Sequence, residues 1–186
     1  MLLDGEEEEY EWIAARFYQT LPNINITRID RIQNRVLWRK YISKSREMWH
    51  SGDGVLNEEL LFHGSRTNDP KKIYQGDASF DMRLSNDGIW GKGNYFAVNA
   101  SYSDGYAFRV RSDVMPCNKM LAAWVLTGHS YHSQSHKFRQ PPLREGVQGG
   151  VQRRYDSVNG VTGGSKVYIT YDNTLAYPAY LITYTN

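Results

Sequence analysis

Apolar positions along this chain follow one spacing before residue 59 and another after it. In the first part they recur at helical intervals. Over residues 6–20, Trp12, Ile13 and Phe17 fall on one side and Pro22 stops the segment, which predicts a helix. Residues 23–28 alternate, with Ile24 and Ile26 apolar, and predict a short strand. Asp30 then reads as the N-cap of a longer helix reaching about Met48, with Ile32, Val36, Tyr41 and Met48 on its core side. From residue 59 the pattern becomes short runs rich in tyrosine and β-branched residues between glycine-rich turns. These predict strands over 59–64, 93–98, 119–126, 167–171 and 180–184, with one helix over 100–108. Residues 66–90 and 128–164 have little periodicity and read as long loops, which in a compact domain are usually functional or disordered. Two helices followed mostly by strands, without βα alternation, predict an α+β fold rather than a doubly wound sheet. The 186 residues show no internal repeat or linker and fit one domain spanning 1–186.

Composition narrows the function classes. Fourteen tyrosines suit half-buried sheets and stacking surfaces, because the ring buries while the hydroxyl still finds a partner. A net charge of +2 gives no argument for nucleic acid, which needs a clustered basic face. The one run of like charge, Glu6 to Glu9, reads as a solvated tail or first helical turn. Cys117 is the only cysteine, so no internal disulfide forms, in keeping with a reducing compartment. Nothing resembles a signal peptide or an apolar run of ~20 residues. The expectation is an intracellular protein, cytoplasmic or nuclear, without a membrane partner.

Several chemistries are disfavoured by spacing. The glycines at 88, 91 and 93 lack the intervals of a dinucleotide fingerprint or P-loop; they read as a tight turn feeding a strand, where a ligand can approach the backbone. His129, His132 and His136 are spaced like metal ligands, but no cysteine or carboxylate stands nearby to complete a shell, so no metal is expected. Ser65 follows Gly64 without the Gly-x-Ser-x-Gly pattern of a nucleophile elbow, and Cys117 follows a proline in a polar turn. What remains is the block from His63 to Tyr106. His63 and Gly64 end one strand, Tyr95 lies on another, and Ser103 and Tyr106 share a side of the next helix. Two aromatic walls, a backbone donor and acceptor and a hydroxyl suit a planar carboxamide such as nicotinamide. On spacing alone, core tyrosines and a structural His63 are the favoured reading.

The block matches a known pattern. Leu61-Phe-His-Gly-Ser65, Gly91-Lys-Gly-Asn-Tyr-Phe-Ala-Val-Asn-Ala-Ser-Tyr-Ser103, Tyr155-Asp-Ser-Val158 and Ala176-Tyr-Pro-Ala-Tyr-Leu-Ile-Thr-Tyr184 stand in the order and spacing of the poly(ADP-ribose) polymerase catalytic domain. The chain resembles that family of diphtheria-toxin-like ADP-ribosyltransferases from about Glu11 to Tyr184, and most of all its mono-ADP-ribosylating members. The resemblance implies a split, mostly antiparallel sheet that binds NAD, a co-substrate, in an extended groove. It implies that His63 bonds the NAD riboses, that Gly64 grips the nicotinamide amide and that Ser103 completes the grip. Tyr106 would stack on the nicotinamide with Tyr95 opposite, Ala97 would also contact NAD, and Ser65 would lie near the adenosine. The loop over 66–90 would cover NAD, with Arg83 and Asn86 as contacts.

One position departs from the pattern. Polymer-forming members carry a glutamate ten residues before the tyrosine of the Tyr-Pro motif; here that position is Val167. The family's glutamate binds the ribose 2′-hydroxyl and activates the acceptor during elongation, and valine does neither. Cleaving the nicotinamide–ribose bond builds positive charge on the sugar, as glycoside hydrolysis does. An acidic acceptor would supply the opposing charge itself. The resemblance therefore implies slow transfer of one ADP-ribose to a protein Glu or Asp, with other side chains or a nucleic-acid phosphate left open, the last unsupported by charge. The alternatives are a catalytically weak NAD-fold binding module and an NAD glycohydrolase.

Overall fold

The computed structural model describes residues 8–51, 53–111, 115–145 and 152–185. Helix α1 (Glu8–Tyr18), strand β1 (Asn25–Arg31) and helix α2 (Arg35–Ser51) come first, followed by β2 (Glu58–His63) and a short α3 (Lys71–Tyr74). Then come β3 (Asn94–Ala97), α4 (Ala100–Asp104), β4 (Phe108–Val110), β5 (Cys117–Leu126), β6 (Ser130–His132), β7 (Ser157–Thr162), β8 (Ser165–Thr170) and β9 (Ala176–Thr185). The fold is α+β, as the sequence predicts.

The strands form one sheet in the order β1-β9-β5-β2-β3-β8-β7-β6, with β4 on β5. Every pairing is antiparallel except β6 with β7. One junction is thin. β2 meets β5 over six registered pairs, whereas β2 meets β3 only at Phe62 and Ala97. The sheet is thus split into β1-β9-β5-β2 and β3-β8-β7-β6, hinged at a single residue pair.

The core follows from strand alternation on β5. Met120, Ala122 and Leu126 face one side with Phe62, Ile182 and Tyr184, and there Ile13 and Phe17 of α1 and Leu37, Tyr41 and Met48 of α2 close over them. Leu121, Ala123 and Val125 face the other side, against Ile32, Phe80 and Phe96. Each fully buried large side chain contributes roughly 1.5–3 kcal/mol.

Three local expectations fail because long-range pairing outweighs local preference. Asp30 caps no helix: it lies in β1, paired with Arg28, because β9 offers backbone partners as far as Arg31 opposite Tyr180. Asn34 does the capping, its Oδ1 accepting from the N–H groups of Val36 (3.0 Å) and Leu37 (3.1 Å). Val36 is consequently exposed, and Leu37 takes its place in the core. Trp12 is 44% exposed and stacks on Trp124 of β5 instead of entering the core. Helix α4 ends at Asp104, leaving Tyr106 in the turn beyond it. The loops also hold unforeseen structure: α3 and a 3-10 turn at Met82–Leu84 in one, β6 and β7 in the other. Among the described residues, no helix is long and apolar enough to cross a membrane.

Candidate active site

The hinge between the half-sheets is where the polar groups converge. β2 ends at His63, whose Nδ1–H donates to the carbonyl of Tyr95 in β3 (2.8 Å). A carbonyl only accepts, so Nδ1 carries the proton and Nε2 keeps its lone pair. Phe80 meets the imidazole edge-on (5.0 Å) and Phe96 lies tilted beside it (5.5 Å). Burial holds the His63 pKa below the ordinary value of 6.5, outweighing the opposite pull of the Tyr95 carbonyl. His63 is therefore neutral at pH 7, with an acceptor nitrogen fixed in direction.

Tyr95 is held at both ends. Its carbonyl orients His63, while its hydroxyl donates to the carbonyl of Gly91 (2.7 Å) and accepts from the N–H of Trp90 (3.0 Å). Burial pushes its pKa up to about 12, so it stays protonated. The turn it grips needs glycine: Gly91 has φ +87°, and a Cβ there would lie 2.1 Å from the Phe138 carbonyl.

Gly64 permits a close approach. A Cβ at this position would stand 2.4 Å from the Tyr106 backbone. The Arg66 N–H bonds the Tyr106 carbonyl (2.7 Å), and the Tyr106 N–H bonds that of Ser103 (2.9 Å). These bonds bring the end of β2 against α4. Ser103 is buried, yet its hydroxyl has no protein partner among the described residues. The Arg66 guanidinium covers one face of the Tyr106 ring at 4.3 Å.

Together they line a cleft of about 310 Å³. Of the residues singled out in the sequence, His63, Gly64, Ser65, Asn86, Tyr95, Ala97, Ser103 and Tyr106 all line it. Ser65 turns its hydroxyl to the Asn68 carbonyl (2.6 Å). Two residues stand apart. Arg83 points to solvent and pairs with Asp81 (2.7 Å). Val167 is fully buried, across from Ala97 on β3 and Gly160 on β7, in a cluster with Trp90, Val158 and Ile169. The covering loop has anchors that sequence reading missed. Asn94 Nδ2 donates to the Phe80 carbonyl (2.7 Å), Ser79 Oγ to that of Ala176 (3.2 Å), and Asn173 Oδ1 accepts from the Met82 N–H (3.2 Å). A buried asparagine within an otherwise apolar strand was the available signal.

The three spaced histidines have separate roles. His129 pairs with Asp53 (2.8 Å), His132 bonds Asn159 (3.0 Å) and His136 packs on Phe138 (4.5 Å). Among the described residues, no group of three or more His, Cys, Asp or Glu side chains stands ready for a metal ion.

Comparison with known proteins agrees with this geometry. The family model for the poly(ADP-ribose) polymerase catalytic domain matches residues 7–186. A Dictyostelium discoideum protein named as a probable poly(ADP-ribose) polymerase is 38% identical over 95% of this chain and 49% of its own length. Protein mono-ADP-ribosyltransferase PARP14 of Homo sapiens is 31% identical over 96% of this chain and 10% of its own. Protein mono-ADP-ribosyltransferase PARP12 of Mus musculus is 33% identical over 98% and 25%. The chain thus spans about half the length of the first relative and a quarter or less of the other two. A sheet split at the His63–Tyr95 junction and a match that spans every described residue lead to one conclusion: the chain belongs to the poly(ADP-ribose) polymerase catalytic-domain family.

Proposed function

We propose that this chain takes NAD as co-substrate and transfers a single ADP-ribose unit to a protein acceptor, releasing nicotinamide. One observation carries this reading: an oriented, neutral His63 stands at the hinge while the elongation position is the buried, apolar Val167. In this reading the Gly64 backbone and the Ser103 hydroxyl hold the carboxamide, and Tyr106 stacks on the ring. Nε2 of His63 accepts a hydrogen bond from a ribose hydroxyl and fixes the sugar. As the C1′–N bond breaks, its electron pair leaves with nicotinamide, which departs neutral. The sugar becomes electron-poor, and an acceptor carboxylate supplies both the new bond's electron pair and the opposing charge. No protein carboxylate is needed for this first transfer. Activating a ribose hydroxyl for a second transfer would need one, and Val167 offers none.

The names of the mammalian relatives favour the same stoichiometry. Incubation with labelled NAD and a mixed protein acceptor, followed by mass spectrometry, tests it. The expected result is acidic side chains bearing one ADP-ribose each. Extended chains would exclude the single-unit assignment, and nicotinamide release without any modified acceptor would make the protein a glycohydrolase.

A further inference from the structure

The transfer chemistry uses the hinge and leaves the outer face of α2 unassigned. This helix carries Arg35, Arg39, Lys40, Lys44 and Arg46 against one carboxylate, Glu47, in a chain of net charge only +2. The near-neutral total hides a concentrated cationic element, offset in part by Glu8, Glu9 and Glu11 of α1. Lys40 is turned to the Asp77 carbonyl, and Lys44 lies between Glu47 and Asp172. Arg35, Arg39 and Arg46 are exposed and have no hydrogen-bond or ion-pair partner among the described residues. At 3.6 residues per turn they fall in an arc of about 40°, roughly opposite the buried Leu37, Tyr41 and Met48, and span roughly 16 Å of helix.

Two tryptophans flank that stripe on the same side. Trp38 is 45% exposed and Trp49 56%. Trp38 is backed by Tyr41 (5.9 Å, stacked) and Tyr177 (5.1 Å, edge-on), so its outer face is presented rigidly. Trp49 has Gly54 close to its ring. Asn34, at the start of α2, ties the helix to the end of α3 and the segment after it by donating to the Tyr74 and Gly76 carbonyls (both 2.9 Å).

We propose that this face of α2 docks a single-stranded nucleic acid, with phosphates on Arg35, Arg39 and Arg46 and bases stacked on Trp38 and Trp49. The guanidinium fork matches phosphate oxygens two at a time. Aromatic rings beside a cationic track are how single strands are held without sequence preference. An acidic peptide would use the arginines but leave both indoles without a partner.

The test is fluorescence anisotropy with a fluorescein-labelled, mixed-sequence DNA single strand of about 16 nucleotides, long enough for the site sizes usual in such proteins. The expected result is binding that weakens with salt. A triple Arg35→Ala, Arg39→Ala, Arg46→Ala variant should lose tenfold or more in affinity, and its log–log salt slope should flatten by about 2, since each phosphate contact contributes about 0.7. Trp49→Ala should weaken binding about fivefold or more at unchanged slope. Circular dichroism and retained NAD consumption establish that both variants stay folded. The proposal is overturned by no binding at low salt or by a triple variant with the wild-type slope. Tighter binding of a duplex overturns it too. So does polyglutamate competing as well as the oligonucleotide with Trp49→Ala neutral, which would make the face an acidic-peptide site.

Discussion

At the scale of single residues, His63 and Val167 both exclude charge, one by burial of a titratable ring and the other by apolar neighbours. Only neutral His63 has a free Nε2 acceptor while Nδ1–H serves Tyr95. Its folded pKa is lowered from 6.5 by burial, so the unfolded chain takes up a proton at higher pH than the folded one. The resulting stability is present above pH 6.5 and is lost as pH falls through the folded value. NAD consumption should therefore be flat above that point and fall on acidification, which a wild-type pH–rate profile measures, and His63→Ala should abolish the activity at every pH. Val167 is surrounded by apolar neighbours. Trp90 is locked beside it, its indole N–H donating to the Ser133 carbonyl (2.9 Å) and its own carbonyl accepting from Tyr171 (2.6 Å). The indole fills the space over Gly160, where a Cβ would come within 2.1 Å of the ring. Val167→Glu would thus place a carboxyl in an apolar cluster with no partner. We expect a stability loss of about 4 kcal/mol or more at neutral pH, where the carboxyl must be held protonated, and no gain of chain growth. A melting curve and a denaturing gel with labelled NAD check both, and a ladder of products would disprove this account of Trp90.

At the scale of elements, the turn from Gly88 to Gly91 is closed by two reciprocal backbone bonds (both 3.1 Å) and tied to β3 by the Tyr95 hydroxyl. Tyr95→Phe leaves the buried Trp90 N–H without its partner, at about 1–3 kcal/mol, while the Gly91 carbonyl keeps the Gly88 N–H. The turn should loosen over the cleft, so the melting temperature should drop and the KM for NAD should rise more than kcat falls; steady-state kinetics separates the two. Elements such as this show what the sequence could disclose. β2, β3 and β5 were legible because leucine, methionine and aromatic residues form short apolar runs in them. β7 was not, because Ser157, Asn159 and Gly160 favour turns, and only six paired residues on β8 make it a strand. Its signal was the Gly163-Gly164 turn, where φ of +53° and +75° closes a two-residue hairpin. The cleft residues were legible as motifs. What joins them was not, since the Tyr95–His63 bond and the Gly64–Tyr106 approach span separations that no local pattern encodes.

At the scale of the whole molecule, the split sheet sets how a ligand would act on stability. β1-β9-β5-β2 has its own core beneath α1 and α2, while β3-β8-β7-β6 shares only one registered strand pair with it and is otherwise joined by side chains: Phe96 and Tyr168 packed against Leu61 and Leu121, the Tyr168–Glu59 bond (2.7 Å), the His63–Tyr95 bond and the loop anchors around Asn94. The proposed nicotinamide contacts divide between the halves, with His63 and Gly64 at the end of β2 and Tyr95 on β3. Ser103 and Tyr106 follow at α4, which is bonded back to the β2 end through Arg66. A benzamide that mimics nicotinamide would bridge the hinge and add its binding free energy to the weakest junction. At a hundredfold excess over Kd that is about 2.7 kcal/mol, a shift readily seen in a melting curve. Hydrogen exchange should locate the effect. Protection is expected over residues 61–66 and 94–106 together, because closing one side of the hinge without the other leaves the ring ungripped. β1 and β9, already paired along their length in the first half-sheet, should change little. Protection confined to a single half-sheet would mean that the ligand sits on one face and that the hinge takes no part in binding.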